Sequence, residues 1–199
     1  MTPLGRLLAA FLAALITLAS LTACAPAKPK FMATDVTGAS FGRDFDLVDH
    51  TGARRTLADF RGKVVVLFFG YTHCPDVCPT TLAELASVMR ELGPDRERVQ
   101  VLFATVDPER DTRELLARYV PAFDPSFLGL RGDPQATGRV TREFKVLVQK
   151  NAGPQESYSV DHSAGTFIFD AQGRLRLYVS YGQGADVFVH DVRELLRTS

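Results

Sequence analysis

Two cysteines, Cys74 and Cys78, stand four residues apart in the segment YTHCPDVC. They follow a predicted buried strand and open a predicted helix, at the carboxyl edge where open α/β sheets place their sites. The positive end of a helix lowers thiol pKa values and favours the thiolate, which metal binding and disulfide exchange both require. A disulfide across so short a loop would remove little unfolded-state entropy. The pair therefore indicates metal or redox chemistry.

Four histidines could supply a further donor, and His162 is the one predicted to reach the sulfurs. It lies in YSVDHSAGTFIF, immediately before a predicted core strand; the alternative is a loop histidine without a ligand. His73 adjoins Cys74 and could tune that thiol, although neighbouring side chains point apart. His50 is expected in a solvated turn, and His190 in a packed or surface position on the last helix.

Two thiolates and one imidazole suit copper. Soft sulfur ligands favour Cu(I), whereas the nitrogen donor helps Cu(II). Structural zinc usually takes four protein ligands, and no fourth is evident beside Cys74, Cys78 and His162. Asp161, immediately before the histidine, is expected to orient the imidazole. The predicted ligand is therefore copper, as Cu(I), Cu(II) or both.

Continuous apolar runs, rich in β-branched and aromatic residues, predict the strands that position these side chains. Strands are predicted at residues 63–70, 99–106, 166–169 and 175–178, with a shorter one at 45–48. Apolar residues at helical spacing predict helices at about 79–92, 112–120, 137–144 and 186–197. This order predicts an α/β, thioredoxin-like fold: a central mixed sheet, helices on both faces and extra N-terminal strands. In such folds the loop that here carries His162 faces the active cysteines, although the usual cis-proline is missing.

The first residues predict export. Arg6 precedes an apolar run at residues 7–21, too short for a typical membrane span, and the run ends in Leu-Thr-Ala-Cys. This ending resembles a bacterial lipobox, with Cys24 as the lipidated residue; the alternative is an uncleaved anchor. We predict a signal peptide at 1–23, a lipid-anchored tether at 24–39 and a copper-binding domain at 40–199. The domain is expected outside the cytoplasm, in the periplasm and attached to a membrane.

Charge and composition exclude a nucleic-acid partner. Lys+Arg and Asp+Glu both number 23, so the formal net charge is zero. No basic arm or stripe is visible, and the 46% hydrophobic content is enough for a sizeable core.

Three separated motifs, GYTHCPDVCPTTL, VDPERDT and VDHSAGTFIFD, resemble the Sco/SenC family of copper chaperones. The resemblance runs from about Phe45 to the C-terminus. It implies a thioredoxin-like copper protein that serves assembly of the binuclear copper site in cytochrome c oxidase subunit II. The sequence departs from many family members in its anchor, which looks lipidated and leaves the mode of tethering open.

The resemblance also implies residue roles. The family's two cysteines fall on Cys74 and Cys78, and its distal histidine falls on His162. Asp107 and Arg110 match a family segment near the site, where they would give second-shell support or dock a partner. The alternative for these two residues is a loop ion pair with a helix cap.

Two functions use the same cysteines. A copper chaperone is a binding and transfer protein, not an enzyme, with the oxidase subunit and another copper chaperone as partners. A thiol–disulfide reductase would keep the oxidase cysteines reduced and would need a thiol reductant. His162 favours the first, since disulfide exchange does not need it. A thiol peroxidase is a weaker third interpretation, because Tyr71 and Pro75 stand where peroxiredoxins carry threonine.

Overall fold

The computed structural model describes residues 29–151, 153 and 158–198, so the predicted signal peptide and Cys24 lie outside it. The strands are β1 (Thr34–Asp35), β2 (Leu47–Asp49), β3 (Arg54–Arg55), β4 (Val64–Gly70), β5 (Val99–Thr105), β6 (Leu128–Arg131), β7 (Val148–Lys150), β8 (Val160–His162), β9 (Thr166–Phe169) and β10 (Leu175–Val179). The helices are α1 (Val77–Leu92), α2 (Arg113–Tyr119), α3 (Pro134–Glu143) and α4 (Ala185–Arg197), with 3₁₀ turns at Leu57–Phe60 and Gly93–Arg98.

Eight strands form one mixed sheet in the order β1-β10-β9-β4-β5-β6-β2-β3. At its centre β4 runs parallel to β5, with Gly70 opposite Thr105, and antiparallel to β9. All of β4 is buried, as its unbroken apolar sequence predicts. Because β4 and β5 end at the same edge, the loops that follow them lie side by side. These elements confirm the predicted thioredoxin-like α/β class.

Helix α1 begins directly after the turn that carries Cys74 and packs against α4, each through a buried apolar face. Its last turn ends at Gly93, whose φ of 58° is left-handed and therefore suits glycine. The predicted helices at 112–120, 137–144 and 186–197 are present as α2, α3 and α4. The frame around the cysteines is therefore the one that hydrophobic periodicity predicts.

The folded part of the chain begins before residue 40, where the domain was predicted to start. Strand β1 pairs with β10, and the backbone N–H groups of Met32 and Ala33 donate to the buried Asp191 carboxylate at 2.9 and 2.8 Å. These are backbone contacts, so the polar composition of the segment gave no sign of them. No helix in the described residues is long and apolar enough to cross a bilayer.

Four further strands were not predicted. Strand β3 has only two residues and β6 only four, and β7 and β8 pair with each other as a two-stranded sheet outside the main one. Every residue of β7 is exposed, so it lacks the apolar alternation by which strands are recognised. His162 is the last residue of β8, and this small sheet therefore carries the predicted third ligand.

Candidate metal centre

The two cysteines lie where β4 turns into α1. Cys78, in the first turn of α1, is fully buried, whereas Cys74 is partly exposed. Gly70 makes room for the buried thiol, because a Cβ there would lie 2.7 Å from Phe103 Cε2 and 3.0 Å from Cys78 Sγ. The glycine that ends the strand thus lets the sulfur approach the sheet edge.

Cys78 is the centre of the predicted ligand set. Its Sγ lies 3.7 Å from His162 Nε2, and its backbone N–H donates to Cys74 Sγ at 3.4 Å. Both cysteines are free thiols. Among the residues that the structure describes, however, no three His, Cys, Asp or Glu side chains converge as a ready-made metal site. The structure therefore brings two of the predicted ligands together and leaves Cys74 beside them.

Burial, rather than the helix end, dominates the ionisation of Cys78. Removal from water raises the pKa of its thiol well above the ordinary value, and the hydrogen bond with Cys74 raises it further. The expectation that the helix N-terminus would favour a thiolate here is wrong for Cys78, because desolvation opposes any charged form. A free Cys78 is therefore a thiol at neutral pH.

His162 is held in the tautomer that a metal site requires. Its Nδ1 lies 3.0 Å from the Ser163 carbonyl oxygen, which can only accept a hydrogen bond. Nδ1 therefore carries the proton, and the lone pair of Nε2 is available to a metal. Burial lowers the pKa of the imidazole, although the Ser163 bond and the charge of Asp161 oppose that shift. The Ser163 carbonyl thus orients the ring in place of Asp161, whose side chain is exposed on the other face of β8.

Asp107 and Arg110 form a buried ion pair near the site. Arg110 Nη1 donates to the Tyr158 carbonyl at 2.7 Å, and the Tyr158 hydroxyl donates to Asp107 Oδ1 at 2.6 Å. The guanidinium also lies over the Tyr158 ring, 3.6 Å from its centroid. The cap of α2 is supplied by Thr112, not by this pair. Asp107 and Arg110 therefore contact the chain that leads into β8 and His162.

Asp111 was not predicted, although it belongs to the same VDPERDT segment. Its fully buried carboxylate accepts from the Thr72 N–H at 3.1 Å, the Thr72 hydroxyl at 2.6 Å and the Thr105 hydroxyl at 2.5 Å. Burial raises its pKa, and the bonds from Thr105 and Thr72 oppose that effect. Asp111 ties the cysteine loop to the end of β5. The available signal was an acidic residue in the loop that follows a buried strand.

The other histidines have different partners. His50 Nδ1 accepts from the Gly129 N–H at 3.0 Å, and His190 Nδ1 lies 2.7 Å from the Asp191 carboxylate. His73 is about half exposed, with Nδ1 3.1 Å from the Thr72 hydroxyl. His162 is thus the histidine whose ring nitrogen faces a cysteine sulfur.

Comparison with known protein sequences identifies a matching family and similar relatives. The SCO1/SenC family profile matches residues 33–197. The mitochondrial SCO2 homolog of Bos taurus is 44% identical over 155 residues, covering 75% of this chain and 58% of that protein. The chain therefore spans less than two thirds of the length of that relative.

Solved structures share the fold along their whole length. ScoI of Bradyrhizobium japonicum with copper bound is 36% identical with a TM-score of 0.73, covering 79% of this chain and 100% of that one. The apo Sco1 protein of Thermus thermophilus is 44% identical with a TM-score of 0.75, covering 85% and 99%.

Proposed function

This chain belongs to the SCO1/SenC family, and on that premise we propose that it is a metallochaperone that binds copper through Cys74, Cys78 and His162. Its recipient is the binuclear copper site of cytochrome c oxidase subunit II, the role that the family resemblance implies. Bradyrhizobium japonicum ScoI, which holds copper in its solved structure, supports copper as the cargo.

The observation that carries the proposal is the distance of 3.7 Å between Cys78 Sγ and His162 Nε2. With metal–sulfur and metal–nitrogen bonds of about 2.3 and 2.05 Å, two ligands at an angle of about 110–120° stand about 3.5–3.8 Å apart. The pair is therefore already spaced to share one ion. Cys74 completes the set by turning its Sγ from the Cys78 N–H toward that ion.

The donor chemistry agrees with both oxidation states. Two thiolates hold Cu(I), and the neutral imidazole supports Cu(II). Cys78 enters the complex by losing its proton, because the bound metal replaces it as the partner of the buried sulfur. Because the site is buried and largely excludes water, the negative charge of the thiolate ligands must balance the positive charge of the ion.

The test is an anaerobic copper titration of the reduced full-length protein. We expect saturation at one copper per chain, and loss of binding in Cys78→Ser. His73→Ala is the matched control, because it removes an exposed imidazole beside Cys74 without touching the proposed ligands. Preferential retention of zinc, or a Cys78→Ser protein that binds as tightly as the unmodified chain, would contradict the proposal.

A thiol–disulfide reductase acting on the oxidase cysteines is the second candidate. The observation that favours it is the partly exposed Cys74 Sγ, which a disulfide of another protein can approach, whereas Cys78 is buried behind it. The test measures how fast the unmodified protein and a His162→Ala variant reduce an oxidised subunit II peptide. Equal reduction rates, together with no copper binding by either protein, would favour this function.

The same proposal includes the location. Lipidation at Cys24 would place the domain outside the cytoplasm, in the periplasm, with a signal peptide at 1–23 removed. The chain then enters the fold at Met32 and Ala33, which Asp191 holds. Only a few residues separate this contact from the proposed anchor, so the domain would stay close to the membrane that holds the anchor.

A further inference from the structure

The strand that carries His162 is not part of the main sheet. Strand β8 pairs only with β7 among the described residues, and all of β7 is exposed. Pairing within so small a sheet cannot by itself fix the distance from His162 to Cys78. On the C-terminal side, His162 is held by β9, which begins four residues later and pairs with β4, and its ring packs against Phe68. On the N-terminal side, its position depends on contacts between the start of β8 and the loops that follow β4 and β5.

Tyr158, two residues before β8, makes the strongest of these contacts. Its hydroxyl donates to Asp107 Oδ1 at 2.6 Å, and its carbonyl accepts from Arg110 Nη1 at 2.7 Å. Its ring lies under the Arg110 guanidinium. The side chain and the carbonyl of Tyr158 therefore connect the segment before β8 with the loop after β5.

The acceptor makes this bond costly to lose. Asp107 is fully buried and accepts from the Arg110 guanidinium on one oxygen and from the Tyr158 hydroxyl on the other. A buried carboxylate oxygen that loses its donor carries the full desolvation penalty, so the pair resists separation. Strand β7 is also joined to the loop after β5, by an ion pair between Lys150 and Glu109 at 2.8 Å. Both side chains are exposed, so this pair contributes little to holding the small sheet in place.

Val160, which lies between Tyr158 and His162 in the chain, makes a second contact. The backbone N–H of Val160 donates to the Tyr71 hydroxyl at 3.4 Å, and the Tyr71 ring stands edge-on to the His162 ring. Tyr71 precedes the cysteine loop. The path from Asp107 to His162 thus runs through Tyr158 and Val160, and it ends beside the chain that holds Cys74.

From these contacts we propose that Tyr158 is a positioning residue that holds His162 within reach of Cys78 and thereby sets the affinity for Cu(II). The proposal rests on the proposed copper function. It requires no contact between Tyr158 and the metal, and it assigns to Asp107 and Arg110 the task of holding Tyr158.

The test is Tyr158→Phe in the full-length reduced protein, which removes the hydroxyl and keeps the ring. Tyr181→Phe is the matched control, because it removes a hydroxyl from a side chain that is 48% exposed in the turn after β10. Cu(I) and Cu(II) affinities are measured by competition, and the nitrogen hyperfine signal of bound Cu(II) by electron paramagnetic resonance. Exchange of the Val160 amide is measured in the copper-free protein.

We expect Tyr158→Phe to lose roughly tenfold in Cu(II) affinity, the effect of one hydrogen bond to a charged acceptor, with a weakened nitrogen signal. Cu(I) affinity should stay within about twofold, because two thiolates suffice for that ion. The Val160 amide should exchange roughly tenfold faster, whereas Tyr181→Phe should change none of these values.

Unchanged Cu(II) affinity and unchanged Val160 exchange in Tyr158→Phe would overturn the proposal. An equal loss of Cu(I) and Cu(II) affinity would also overturn it, because the hydroxyl would then support the cysteine loop. If the unmodified protein bound no copper, the proposed function would fail. In that case the Val160 exchange and the His162 imidazole resonances of the copper-free variant would still decide the positioning role.

Discussion

Replacing Gly70 by alanine tests how closely the fold fits the metal site. The new Cβ would lie 2.7 Å from Phe103 Cε2, 3.0 Å from Cys78 Sγ and 3.1 Å from Phe68 Cε1. All three neighbours are fully buried, so none can move aside freely. The backbone of Gly70 does not have a positive φ, so the expected effect of the substitution is steric and does not come from backbone strain.

The magnitude follows from overpacking a dense interior, which costs about 1–3 kcal/mol. Part of that cost should fall on Cys78, because relief requires its Sγ to move away from the strand and hence relative to His162. We therefore expect Gly70→Ala to lower the free energy of unfolding by about 2 kcal/mol and to weaken copper binding as well.

The assay is urea unfolding of the reduced, copper-free protein, followed by copper titration of the same sample. Gly138→Ala is the control, since it lies in α3, where its Cβ would meet only the flexible end of Arg142 at 3.3 Å. Glycine is unfavourable inside helices, so this control should be stabilising by up to about 1 kcal/mol. A Gly70→Ala protein with unchanged stability and unchanged copper affinity would refute the idea that this glycine makes room for the thiol.

Four further predictions concern the site and the anchor. His162→Ala should weaken Cu(II) far more than Cu(I), while His73→Ala should change neither; similar losses for both ions would remove His162 from the ligand set. Copper affinity should rise with pH between about 7 and 8, roughly tenfold per unit for each thiol proton displaced, because burial raises the pKa of the Cys78 thiol, whereas burial lowers the pKa of His162 and so favours its neutral form in this range. Oxidation of Cys74 and Cys78 to a disulfide should abolish copper binding until reduction restores it; binding by the oxidised protein in the same titration would place the metal elsewhere. Cys24→Ser should release the protein from membranes in cell fractionation with its copper binding intact, and a variant that stays in the membrane fraction would favour an uncleaved anchor.

Much of the frame could be read from local sequence. The buried run of β4, the periodic apolar residues of α1 and the polar turn after β5 each reflect a short-range pattern, and each element is found at its predicted place. The spacing of Cys74 and Cys78 and the motif around His162 were sufficient to indicate the family, because these residues must occur in a fixed order along the chain. The family match over residues 33–197 confirms that interpretation.

Other features depend on contacts between residues that are far apart in the chain. Asp111 reaches Thr72 across 39 residues, and Tyr158 reaches Asp107 across 51. Nothing in the local pattern of either segment indicates its partner. The same holds for β1, which is defined by backbone pairing with β10, and for the exposed β7.

The ionisation of Cys78 shows most directly what only the tertiary structure could decide. From the sequence, the thiol lies at a helix N-terminus, and that position favours a thiolate. In the folded protein the same thiol is enclosed by the sheet edge and by His162, and desolvation raises its pKa instead. The sequence determined which donors are present and in what order. Their protonation, orientation and distances depend on how much water the packed chain leaves around them, which no local pattern encodes.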